Sequence, residues 1–134
     1  PWALHGLSQA LVLQNDPARS ARVADWARLA ERGLVKEHCW DMQLALARLA
    51  AGDLDQATAL VAEAHAKAPS YRPALRYLVA LHAIAGDPDA VQRHLRLLGM
   101  VQPGFVPANL LRPDYPLDTL RRVGLADDLA GAIS

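Results

Sequence analysis

Gly52-Asp53-Leu54-Asp55 opens a segment that closes at Pro69, and Gly86-Asp87-Pro88-Asp89 opens a second that closes at Pro103. Both landmarks are displaced by 34 residues, a period typical of paired-helix repeats. In each segment Gly suits the left-handed residue that ends one helix. The Asp after it can accept the amide hydrogens left free at the start of the next. Gln56, three residues beyond Asp53, adds the spacing of a capping box. Each Gly-Asp pair therefore predicts two helices joined by a tight corner.

Outward from these corners the apolar spacing stays helical. A third helix covers Glu37 to Ala51, and a fourth runs from the Asp53 cap toward Pro69 with Leu54, Ala57, Leu60, Val61 and Ala64 inward. A fifth, Tyr71 to Ala85, carries Leu75, Leu78, Val79, Leu81 and Ile84, so it is apolar around most of its circumference and requires burial on more than one side. A sixth runs from Pro88 to about Val101 through Val91, Leu95 and Leu98. Upstream, Leu4, Leu7 and Leu11 predict a first helix over Trp2 to Gln14. Asp16-Pro17 caps and starts a second, which reaches about Arg32 and ends at Gly33. After Pro103, Pro107, Pro113 and Pro116 exclude a long helix. They leave a short turn around Val106 to Leu111 and a helix from Pro116 to Val123, closed by Gly124, as a cap over the last apolar face.

The totals narrow the function classes. The 134 residues suit one domain with a substantial core, and Ala and Leu dominate a hydrophobic fraction of 52% while aromatics are 5%, which favours helices over strands. Fourteen basic and fourteen acidic residues leave no net charge, so no overall field draws the chain to nucleic acid or an anionic membrane. The single cysteine, Cys39, cannot close an internal disulfide and fits a reducing compartment. No charged-then-apolar leader is visible, and charge or Pro breaks every apolar run before the ~20 residues of a membrane span. These features predict a soluble, cytoplasmic protein. Because the chain begins at Pro1 rather than Met, we expect a fragment or processed product of something longer.

On these residues the chain resembles a tetratricopeptide (TPR) repeat array. A second unit, 38–71, supplies Leu44 and Ala45, then Ala57, Val61, Ala64 and Pro69; a third, 72–105, supplies Leu75, Leu78 and Val79, then Val91, Leu95, Leu98 and Pro103. A divergent first unit, 1–34, supplies Leu4, Leu7, Ser8 and Leu11, then Ser20, Ala24 and Ala27, and residues 106–134 form a C-terminal cap. Small residues where the paired helices cross let them approach closely. The departures are Asp41 and Arg48 at apolar positions, Arg32 in place of a closing Pro, and three extra residues between the first two units. These predict irregular packing at the first junction. The resemblance implies an all-α fold, with three helix-turn-helix pairs in a right-handed α-solenoid followed by a short capping helical segment. The stretch Pro103-Gly104-Phe105, with Leu117 to Leu125, is similar to the closing segment of C-terminal repeat regions in bacterial class III adenylate cyclases and winged-helix transcriptional regulators. That likeness implies the sensory or protein-binding end of a bacterial signalling protein.

In this family the first helix of each unit lines the concave surface, which places a partner groove at His5, Gln9, Met42, Leu46, Leu49, Arg76 and Ala80. The groove reads as mostly apolar and suits a protein or peptide segment, either an amphipathic helix or another domain of the parent chain. Met42 and Leu46 stand where relatives that clamp a C-terminal carboxylate carry Lys and Asn, which argues against that ligand. The same apolar spacing is equally what a packed core produces. Arg93, His94 and Arg96 form a basic face on the sixth helix that suits an acidic partner or phosphate, or is simply solvated. His38 and Cys39 diverge by about 100° on a helix and make a poor metal chelate. Asp114, Asp118, Asp127 and Asp128 read as caps and tail charges. No acid–base or nucleophile set converges, and His82 or His94 would have to carry any reaction. The expectation is a non-catalytic interaction or regulatory module without cofactor or metal. Self-association through apolar terminal helices, giving a homo-oligomer, is the alternative.

Overall fold

The computed structural model describes residues 16–30, 37–112 and 118–133. Among the described residues the chain is all-helical: α1 (Pro17–Ala30), α2 (Glu37–Ala50), α3 (Leu54–Lys67), α4 (Arg72–Ala85), α5 (Pro88–Val101), a 3-10 turn (Pro107–Leu111), α6 (Asp118–Arg122) and α7 (Ala126–Ile133), with no strand. The helix expected over Trp2 to Gln14 lies outside the described residues, as do Gly33 and Pro116. No helix among those described is long and apolar enough to cross a membrane.

The Gly-Asp corners recur as structure. Gly52 and Gly86 adopt φ of 85° and 77°, in the left-handed region that only glycine enters without strain. The Gly52 amide donates to Leu49 O at 3.0 Å and the Asp53 amide to Arg48 O at 3.0 Å; 34 residues on, Gly86 donates to Ala83 O at 3.1 Å and Asp87 to His82 O at 3.0 Å. These paired bonds satisfy carbonyls that a helix end leaves open. On the far side, Asp53 Oδ1 accepts from Gln56 N at 3.1 Å, and Asp87 Oδ1 accepts from Ala90 N at 3.1 Å. The helices that follow end alike, at Ala68 with φ −138° and ψ 81° and at Gln102 with φ −137° and ψ 80°. Asp16 caps α1 in the same way, accepting from Arg19 N at 3.2 Å.

The chain divides into two compact units, Pro1–Pro69 and Ser70–Ser134. In the first, α2 packs against both α1 and α3. Double-sided packing explains why Trp40, Met42, Leu44, Ala45, Ala47 and Leu49 are all buried along one helix. Ala57 and Ala64, with 1% and 0% of their surface exposed, let α3 come close to it. In the second unit α4 is the central helix, packed against α5, α7 and the 3-10 turn. Its apolar circumference is used on several sides, with Leu75, Leu78, Val79 and Leu81 buried. Leu98 of α5, Leu110 of the turn, Leu120 of α6 and Leu129 of α7 are each 2% exposed or less. The α6–α7 corner repeats the glycine device: Gly124, at φ 80°, donates to Arg121 O, and Leu125 donates to Leu120 O.

Each helix pair also carries a polar clasp. Lys67, the last residue of α3, bonds Asp41 of α2, and Arg76 of α4 bonds Gln102, the C-cap of α5. Both clasps join residues 26 apart.

Candidate functional site

The residues assigned to a concave groove meet different fates. His5 and Gln9 lie outside the described residues. Met42 and Leu49 are 5% and 2% exposed, and Ala80 is fully buried, because α2 and α4 are the central helices of their units. Leu46, on the same helix as Met42, is half-buried and keeps a surface a partner can reach. The Arg76 guanidinium is committed to Gln102 Oε1, donating from Nε at 3.1 Å and from Nη2 at 2.9 Å.

Charge is spent inside the first unit. Asp41 on α2 has no exposed surface. Lys67 Nζ donates to Asp41 Oδ2 at 2.6 Å and to Glu37 Oε1 at 3.0 Å, and so neutralises a carboxylate that burial would otherwise penalise. Partial burial works against the ammonium, but the hydrogen bonds to Asp41 and Glu37 outweigh it and hold Lys67 above the usual lysine value. The group is a strut between α2 and α3.

The second unit holds an open apolar pocket of about 410 Å³, walled by Val79 and Ala83 of α4, Val91 and Leu95 of α5, Pro107, and Ile133 at the end of α7. Two of its walls depart from the burial of their counterparts one repeat earlier. Val91 and Leu95 stand 34 residues after Ala57 and Val61, which are 1% exposed, yet both are only half-buried. The polar rim is slight, with Gln92 exposed and the Asp87 carboxylate occupied by its cap bond. This pocket escaped the sequence reading because its walls come from three separated stretches, and the apolar character of Ala132 and Ile133 carries no sign of where they fold.

Comparison with family models, curated proteins and solved structures finds no match to this chain.

His82 of α4 and His94 of α5 stack with ring centroids 5.1 Å apart and planes 10° from parallel. Nδ1 of His94 donates to Ala90 O at 2.7 Å, which fixes its ring. Burial pushes His82 below the usual histidine value, and His94 and Arg93 add to the effect while Asp87 opposes it. The unfolded chain thus binds a proton at His82 more readily than the folded one, so stability falls as pH drops through the ordinary histidine value of 6.5. Denaturant midpoints measured from about pH 7 to about pH 5 should decline in the natural chain and decline less in His82→Gln. Equal slopes in the two proteins would contradict the assignment.

Proposed function

We propose that the chain is a tetratricopeptide-like module that binds a protein segment and catalyses no reaction. In this reading it is the interaction or regulatory arm of a larger bacterial signalling protein, acts in the cytoplasm, and stacks its helix pairs as a right-handed solenoid closed by the C-terminal helices. The single observation that supports it is the corner recurring at Gly52-Asp53 and Gly86-Asp87, with matching φ, matching helix-end bonds and matching Asp caps. Chains built from such units present extended surfaces for protein segments. The clasps at Lys67 and Arg76 fit the same reading, since they lock helices together.

The test uses the full chain against a library of amphipathic helical peptides. Selected binders are titrated against the natural protein and Leu46→Glu. Leu46 is chosen because it is half-buried, whereas Glu at buried Met42 would unfold the first unit. Binding with a dissociation constant below about 100 μM, weakened at least about tenfold by Leu46→Glu with helicity unchanged, is the expected result. A library that yields no binder, together with concentration-dependent sedimentation, would replace the module with self-association.

A further inference from the structure

We propose that the outer face of α5 docks an acidic amphipathic helix of a protein partner. The face belongs to the second helix of its pair, so the inference goes beyond the first-helix surface that carries Leu46. Arg93, Arg96, Leu97 and Met100 fall at the i, i+3, i+4 and i+7 positions of one helical stripe. Leu98, with no exposed surface, turns the opposite side of the helix into the unit, and Ala90, also fully buried, marks one edge of the stripe. On the outer stripe Met100 is 78% exposed and Leu97 40%, and both arginines are exposed.

The charges identify the partner. Neither Arg93 nor Arg96 forms an ion pair with a carboxylate among the described residues. Asp89, the acid on the same side of α5, sits in the first turn, where the helix dipole favours a negative charge. Beyond it the stripe is cationic and apolar, with two guanidinium forks one turn apart and a flexible methionine beside them. A helix with Glu or Asp one turn apart places carboxylates at the matching spacing of roughly 5–6 Å. Its apolar residues then cover Leu97 and Met100, the latter a side chain that adapts to varied surfaces. A lone phosphate would leave both apolar side chains wet. Nucleic acid calls for a wider basic field than a chain of zero net charge offers.

Fluorescence anisotropy on the full chain tests this with a labelled helix-forming peptide carrying Glu one turn apart beside Leu, and with its counterpart carrying Lys for Glu. The acidic peptide should bind and the basic one should not. R93E/R96E should weaken the acidic peptide at least about tenfold and acquire affinity for the basic one, and Met100→Glu should weaken it about fivefold. Leu46→Glu should leave this binding unchanged. Circular dichroism should find all variants as helical as the natural chain, since the α5 positions are exposed and Leu46 is half-buried. The proposal is overturned by equal binding of the two peptides, by no binding of either, or by binding indifferent to R93E/R96E. If the acidic peptide is lost on Leu46→Glu alone, the α5 face is rejected while the first-helix reading survives. Capture of the chain by phosphatidylserine vesicles in place of the peptide would assign the face to lipid. Dimerisation abolished by R93E/R96E would assign it to a second copy.

Discussion

Lys67→Met is expected to lower the free energy of unfolding by about 3 kcal/mol, the low end of what removing one partner from a buried ion pair costs. Asp41 has no exposed surface, so loss of the ammonium 2.6 Å away leaves a carboxylate that water reaches poorly. Glu37, with its side chain 20% exposed, deepens the penalty because it adds a second negative charge near the first. The double variant Asp41→Leu/Lys67→Met should recover most of the loss, because an apolar pair carries no desolvation cost. Denaturant titrations of the two variants and the natural chain supply the comparison. A single variant within about 0.5 kcal/mol of the natural protein would mean that the carboxylate is satisfied without Lys67. The pair also has a pH signature. Folding raises the Lys67 value, so its contribution is fully present below 10.5 and disappears as pH rises through the elevated folded value.

Leu98→Ala is expected to cost a further large amount, about 3 kcal/mol, while Leu97→Ala beside it costs under about 0.5 kcal/mol. Leu98 has no exposed surface and sits on the side of α5 that meets α4, so its removal opens a cavity among side chains already at crystal-like density. Leu97 is 40% exposed and leaves only solvent behind. Thermal or denaturant unfolding of both variants checks the contrast. Similar losses at the two positions would mean that the register of α5 is displaced by one residue.

Much of the helix layout is legible because its signals are local. Asp53 and Asp87 cap α3 and α5 as their spacing predicts, and the expected boundaries at Glu37, Ala85, Val101 and Leu111 coincide with observed ones. The helix read from Pro116 to Val123 is described only over Asp118–Arg122, residues 113–117 lying outside the described set. Less legible was everything that depends on which helix is central. Periodicity identifies an apolar face but not how many neighbours will cover it, so Met42 and Leu49 read equally as groove or core, and Ala80 reads as groove, although α2 and α4 are packed on several sides and bury all three. Asp41 read as a disruption of the repeat. Lys67, which bonds it, lies 26 residues away, although a cation at the end of the paired helix is a signal that points to the pairing. The pocket at Val91 and Leu95 had no local signal, since α7 supplies part of its wall.

The two corners have a kinetic consequence. Gly52-Asp53 and Gly86-Asp87 satisfy their backbone and cap bonds within five residues of chain, and a Cβ built on either glycine would meet nothing within 4 Å. Nothing distant in the chain is needed to shape them. Each antiparallel helix pair can therefore nucleate alone, with little loop-closure entropy lost before apolar contacts form. Such local topology places folding in the microsecond-to-millisecond range. Substituting either glycine should raise the barrier to forming its own hairpin and leave the other hairpin's rate alone, so the order in which the two pairs assemble can be reversed by a single side chain.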